Sequence, residues 1–337
     1  MTEERVVLSS RVRLARNYDD LPFATASRIQ DADECVARTS RALAQSGEDA
    51  GFELIRLADL GELEQRALQE SRLISRDLLR EPRTAAVLVN RADAVSVMMN
   101  EEDHLRIQAI RPGLDLEGAA EDCFRVEQAL EKQVRFAFDR QLGYLTACPT
   151  NTGTGMRASL LLHLPMLTMN KRMGDVGQIV AKVGLTIHGV YGEGSEALGH
   201  VYQISNQVTL GRTEQELTAA VSAVGRQLMD MENALRERAL QESRVALEDS
   251  VGRAWGILRH ARRMELVEFF RHWSQIRMGS ALELVPTPIP VLDQLLCEVQ
   301  EAHLVTPEGA FIGGDNAEET RASRVRQVLR DERGIVE

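Results

Sequence analysis

The 337-residue chain is expected to adopt an α+β fold: an antiparallel β-sheet flanked by helices, followed by an all-helical C-terminal domain. Three observations lead there. Strand-like alternation and turn signals concentrate between about residues 84 and 212. From Thr213 the apolar period becomes helical and stays so. A 44% hydrophobic content is enough for a large core. At roughly 100–200 residues per domain the length fits two domains, which we place at residues 1–242 and 243–337.

The elements follow in order. If Ser9 to Arg16 is extended, Arg11 and Arg13 leave one face, because alternate residues of a strand share a side. Ala85 to Val89 and Ala94 to Met99 read as a hairpin around the polar turn Asn90-Arg91-Ala92-Asp93, ending in Asn100-Glu101-Glu102-Asp103-His104. A helix is expected around Ala119 to Phe138. Further strand candidates are Tyr144 to Ala147, Ser159 to Leu164, Leu185 to Val190 and Val201 to Ile204. The loops Pro149 to Arg157 and Tyr191 to Gly199 are rich in Gly, Thr and Ser, which suits backbone exposed to a ligand. Thr213 is a plausible N-cap with Glu216 as its capping-box partner, ahead of the stripe Leu217, Val221, Val224, Leu228, Met231 and Leu235. Three further stripes follow: Val251 to Leu258, Leu266 to Ile276 and, after the hinge Pro286-Thr287-Pro288-Ile289-Pro290, Leu292 to Val299.

Composition narrows the chemistry. With 51 acidic against 40 basic side chains, a net charge of -11 and a pI near 5.3, the chain is not expected to bind nucleic acid. Its four cysteines, Cys35, Cys123, Cys148 and Cys297, form no CxxC pair, so a reduced, cytoplasmic protein is expected. No membrane span or signal-peptide core is visible. The only lysines are Lys132, Lys171 and Lys182, and no GxxxxGK[ST] string exists. Phosphate would have to be held by arginine forks, which bind it bidentately and stay charged.

Four strings, in order, carry the functional reading: SSRVRLAR from Ser9, NEEDHLRI from Asn100, CPTNTGTGMRAS from Cys148 and GEGSEALGHVYQISN from Gly192. Together they resemble the ATP:guanido phosphotransferase family. ESRLIS (Glu70 to Ser75), YGEGSEALG and LEDSVGRAWGIL (Leu247 to Leu258) resemble its bacterial branch of protein-arginine kinases. The resemblance implies that ATP and Mg2+ are used, with Arg11, Arg13, Arg106 and Arg157 clamping the nucleotide phosphates beside the Gly153-Thr154-Gly155 loop. It implies that Glu102 and Glu193 align the guanidinium and take its proton, and that Cys148 aids alignment. Glu101 and Asp103 would order water around the metal or hold the turn. The family's fifth phosphate-contacting arginine is His188 here, which can still donate a hydrogen bond. A phosphoarginine-recognition motif is half matched, through Arg321, Arg324 and Arg326.

Small-molecule guanidino kinases place a helical domain before the SSRVR string. Only eight residues precede Ser9 here, so the reading expects an open pocket and protein substrates bearing exposed arginine. The branch further implies marking for Clp-type proteolysis, a small zinc-binding activator and a homodimer through the helical domain. Two alternatives stay open: a small-guanidino kinase of the free-arginine type, and a catalytically weak adaptor that binds clients or phosphoarginine.

Overall fold

In the segment Val7–Arg16 the residues Val12 and Leu14 alternate with Arg11 and Arg13, so once extended it has one apolar and one cationic face. In the computed structural model, which describes residues 5–23, 29–189, 197–305 and 312–331, this segment is strand β1. It is followed by α1 (Ile29–Ser46), β2 (Glu53–Arg56), α2 (Glu62–Glu70), β3 (Ala86–Asn90), β4 (Val95–Met99), β5 (Leu105–Pro112) and α3 (Leu116–Glu131). A short hairpin of β6 (Phe138–Asp139) and β7 (Gly143–Tyr144) precedes β8 (Met156–His163), α4 (Pro165–Met169), α5 (Met173–Lys182), β9 (Leu185–Gly189) and β10 (Val201–Asn206). The chain continues as α6 (Glu214–Glu242), α7 (Arg244–His260), α8 (Leu266–Ala281), α9 (Ile289–Glu298) and α10 (Asp315–Asp331).

Eight strands form one antiparallel sheet in the order β2-β3-β4-β5-β1-β8-β10-β9. Val12 and Leu14 with Ile107, Ala109, Ala158, Leu160 and Ile204 bury one face against α3 and α6. The opposite face is mixed. Leu161 and Val201 join a second core with Phe270 and Trp273 of α8, which brings the C-terminal helices against one end of the sheet.

The α+β architecture is the expected one, with local corrections. The expected helix at 119–138 runs instead from Leu116, behind the N-cap Asp115 whose side chain accepts from Gly118 N, to Glu131. The expected strand Tyr144 to Ala147 shrinks to the Gly143–Tyr144 pair, because the Ala147 N–H is taken by the Asp103 carboxylate. Helix α1 and strand β5 were not expected. The Thr213–Glu216 capping box forms in both directions, at 3.2 and 2.9 Å.

Where the sheet meets the C-terminal helices, a buried polar network lies beside the apolar contact. Glu232 and Arg236 of α6 pair at 2.8 Å with both side chains fully buried, and Glu232 also accepts from the Met166 and Leu167 amides. Arg236 and Arg277 both donate to the Arg5 carbonyl, and Arg277 grips Asp293 of α9 through two nitrogens at 2.6 and 2.9 Å. His163 lies between them, 2.7 Å from Ser274 and 3.4 Å from Arg277. Burial, then the charges of Arg277 and Arg236, push its pKa well below the usual imidazole value, so it stays neutral. Arg236→Met should cost about 3–5 kcal/mol, because Glu232 keeps its charge without its partner. Adding Glu232→Gln should recover part of the loss, as measured by thermal or urea unfolding of both variants.

Candidate active site

Residues directly opposite one another in an antiparallel pair share a face. Arg13 stands opposite Arg157 on β8 and Gln108 on β5, while Arg106 stands opposite Ala15. Arg11 stands opposite Ser159, two positions from Leu161, which pairs with Gln203; Gln203 in turn pairs with His188. The register of five strands therefore gathers Arg11, Arg13, Arg106, Arg157 and His188 on one face. Arg16, the last arginine of the SSRVRLAR string, faces the other way. It pairs with Glu127, lies 3.5 Å over the Tyr144 ring and donates to the Thr154 carbonyl at 2.9 Å.

The four guanidinium groups form a cage that repels itself. Burial, then the charges of Arg72, Arg106 and Arg157, lower the Arg11 pKa to about 10. Burial and the charges of Arg11, Arg106 and Arg157 push Arg13 well below the usual arginine value, against a smaller opposing effect of Glu101. Arg157 is lowered by burial and by Arg106, while Cys148 and Glu102 act the other way. Arg11 has neutral partners, Gln203 at 2.9 Å and Ser159 at 3.4 Å. The Arg13 Nε is buried with no hydrogen-bond partner, an orphan donor that fits a phosphate oxygen.

One carboxylate balances the cage from within. Arg106 binds both oxygens of Glu101, one at 2.6 Å, and Ser75 donates to the same group. Glu101 is 2% exposed while Glu102 is 41% exposed, so only the second is free to meet an incoming group. Burial, then the charge of Asp103, raise the Glu102 pKa above the usual carboxylate value. Asp103 acts as a tie: its Oδ1 accepts from Asn17 and from the Ala147 amide, each at 2.7 Å. That tie holds the turn bearing Glu102 against the segment that leads to Cys148. The thiol of Cys148 lies 3.0 Å from the Thr150 hydroxyl.

Other expected residues are placed differently. The Gly153 amide donates to the Tyr144 carbonyl and the Thr154 amide to Thr209, so these two donors are engaged by the fold. Gly153 and Gly155 are needed for close approach. A Cβ at Gly153 (φ 119°) would come 2.6 Å from the Thr209 carbonyl, and one at Gly155 (φ 61°) 2.6 Å from that of Ala15. Glu193 lies outside the described residues. Arg321, Arg324 and Arg326 are on α10, away from the cage. Arg321 donates to the Val299 and Met264 carbonyls, Arg324 to Glu298 and Arg326 to the Ala261 carbonyl.

Arg72, Ser75 and Gln203 lie inside the quoted strings but were given no role there, and Glu101 was not expected as a counter-charge. Arg72 sits at φ 61° just after α2, and its carbonyl accepts from Gln108 at 2.8 Å. A cavity of about 590 Å³ runs from Arg11, Arg13 and Arg106 past Arg72 to Phe270 and Cys297 in the C-terminal helices. An anion should relieve the repulsion along this face. Inorganic pyrophosphate is expected to raise the melting temperature, and Arg13→Met to weaken its binding at least tenfold, about 1.4 kcal/mol, by calorimetric titration. Without ligand the same variant should melt no lower than the parent, since it removes a crowded charge.

Comparison with known proteins accords with this geometry. Residues 34–235 match the family model of the ATP:guanido phosphotransferase C-terminal catalytic domain, and residues 244–334 match the protein-arginine kinase McsB C-terminal domain. A relative from Symbiobacterium thermophilum named protein-arginine kinase is 42% identical over 328 residues, 96% of this chain and 93% of its own. One of the same name from Caldanaerobacter subterraneus is 40% identical over 304 residues, 90% of each chain. Among solved structures, a lombricine kinase superposes with a TM-score of 0.62 at 26% identity, covering 70% of this chain and 68% of that one. The duplicated taurocyamine kinase of Schistosoma mansoni with bound transition-state-analogue components gives 0.64 at 25% identity, covering 75% of this chain and 38% of that one. A catalytic-domain match across more than half the chain makes this protein a member of the ATP:guanido phosphotransferase family.

Proposed function

We propose that the protein is an ATP-dependent protein-arginine kinase, with residues 1–242 as the catalytic domain and residues 243–337 as a helical domain for substrate docking or dimerisation. The observation that carries this reading is the cage of Arg11, Arg13, Arg106 and Arg157 beside the half-exposed carboxylate of Glu102. Phosphoryl transfer develops charge on the moving group and on the ADP leaving group, and pre-positioned guanidinium groups stabilise both. His188, across from Gln203, adds a hydrogen-bonding side chain on the same face.

The acceptor guanidinium is protonated and poorly nucleophilic until a carboxylate orients it and removes a proton. Glu102 and Glu193 fill that role. As the bond from the γ-phosphorus to its bridging oxygen breaks, the new P–N bond forms and the nitrogen's proton passes to a carboxylate. Cys148, electrostatically coupled to Arg157, supports the alignment. Magnesium, arriving with the nucleotide, would neutralise charge on the phosphate oxygens. Glu101 is committed to Arg106, which leaves phosphate oxygens and water as the main ligands.

Relatives named protein-arginine kinase favour an arginine carried on a protein. The same branch supports marking for Clp-type degradation, a zinc-binding activator, a homodimer and a cytoplasmic setting. Among the described residues no helix is long and apolar enough to cross a membrane. A phosphoarginine site at Arg321, Arg324 and Arg326 would need these side chains to exchange their present partners for the anion.

Labelled ATP with casein or with free arginine tests the reading. Label should enter casein and be lost in mild acid, where a P–N bond breaks and a phosphoserine ester survives. Label on free arginine alone would select the small-guanidino kinase, and none on either would select the adaptor. Glu102→Gln and Glu193→Gln should each cut turnover roughly 100-fold or more, within the range for a lost acid–base group, while calorimetry finds ATP affinity nearly unchanged. Because Glu102 works ionised and its pKa is raised, activity falls as pH drops through that raised value. The acid limb of kcat/KM should therefore lie above the ordinary glutamate value of about 4.3.

A further inference from the structure

Three of the four cysteines have an assigned place in the fold or the site, and the fourth has company that neither explains. Cys35 and Cys123 are fully buried, and burial pushes the Cys35 thiol up to about 12 and Cys123 higher still, so both are inert. Cys148 belongs to the active site. Cys297 lies in α9, half-buried, on the wall of the same cavity that Arg11, Arg13 and Arg106 line. Its sulfur is 3.3 Å from His303 Nε2 and 3.6 Å from the Ser71 hydroxyl, and Ser71 is 3.3 Å from the same imidazole nitrogen. The three side chains come from three separate elements. Ser71 closes α2, Cys297 is on α9 and His303 ends the turn Glu301–His303. Two contacts fix the seam between them: Glu70 accepts from the Ala302 amide at 2.9 Å, and Arg66 pairs with Glu301 at 2.8 Å.

We propose that Cys297 is a reactive thiolate, paired with His303 and steadied by Ser71, and that it is oxidised by small hydroperoxides entering the shared cavity. The electrostatics agree with the geometry. Burial pushes the Cys297 thiol up, but hydrogen bonds from His303 and Ser71 and the charge of His303 outweigh it, leaving a net downward shift. The bond to Cys297 in turn raises the His303 pKa, against the opposing effect of burial. A thiolate beside an imidazolium is the arrangement that makes a cysteine nucleophilic near neutral pH.

The step balances without another reactant. The thiolate attacks the terminal oxygen of the hydroperoxide, the S–O bond forms as the O–O bond breaks, and Cys297 becomes a sulfenic acid. Sulfur gives up two electrons, the peroxide accepts them, and the departing alkoxide takes the His303 proton and leaves as an alcohol.

The test exposes the full-length protein to tert-butyl hydroperoxide at pH 7, traps sulfenic acid with dimedone and maps the adducts by mass spectrometry. Cys297 should be trapped at least tenfold more than Cys35 or Cys123. His303→Asn should lower trapping at Cys297 about tenfold and leave Cys148 unaffected. Trapping at Cys297 no greater than at the buried cysteines, or unchanged in the variant, would overturn the proposal. Should that variant fail to fold, the pH profile of iodoacetamide alkylation at Cys297 in the unmodified chain decides instead. A midpoint below the ordinary thiol value of about 8.5 supports the proposal, and one at or above it defeats it.

Discussion

Mutual repulsion among guanidinium groups on one face of the sheet is the constraint the rest of the molecule is organised to meet. Two unit charges about 5 Å apart at an effective dielectric near 20 oppose each other by about 3 kcal/mol. Crowding Arg11, Arg13, Arg106 and Arg157 together is tolerable only where something stronger sets their positions. The register of β5, β1 and β8 does so. Val12, Leu14, Ile107, Ala109 and Ala158 are fully buried on the reverse face, so a slip of one residue would drive arginine into the core and leucine into solvent. The apolar side of β1 thus enforces the cationic side, and a bound polyanion recovers the repulsion that the ligand-free protein stores.

This coupling explains what was legible in the sequence. Alternation in SSRVRLAR exposed the shared face of Arg11 and Arg13, and the capping box at Thr213 marked the start of α6, because both are local patterns. Strand β5 was less visible. Its Arg106, Gln108 and Arg111 interrupt the apolar run, and their meaning appears only beside β1. Arg72 stood inside the ESRLIS string with no role assigned, since its approach to Arg11 depends on a left-handed backbone after α2 and on Gln108 holding its carbonyl. The expected strand at 144–147 failed for a related reason: a distant carboxylate, Asp103, takes the backbone donor that a sheet neighbour would have used. Long-range side-chain ties of this kind have no sequence period.

The C-terminal helices are more than an appendage to the sheet. They contribute Phe270, Asp293, Leu296 and Cys297 to the cavity, so the wall facing the cage belongs to elements beyond residue 242. Asp293 is also the carboxylate that grips Arg277, which in turn donates to the Arg5 carbonyl just ahead of β1. A displacement of α9 would therefore be felt both in the cavity and at the entry to the strand that carries two of the caging arginines. Such a connection gives a helical domain leverage over a site to which it lends few charges.

The contrast between Glu101 and Glu102 shows how one turn divides two kinds of work. Asn100 adopts a left-handed conformation at φ 63°, and its side-chain amide donates to the Ala32 and Thr84 carbonyls, which fixes the turn from below. With that anchor the chain sends Glu101 inward, where Arg106 and Ser75 take up its oxygens, and leaves Glu102 partly exposed. Two identical side chains thereby acquire different chemistry. The buried one is held by a fixed partner, Arg106. The other is paired more loosely, with Arg106 Nη2 at 4.0 Å, and burial, then the charge of Asp103, raise its affinity for a proton. The second environment leaves a carboxylate open to an incoming group, and the first keeps the cage beside it intact.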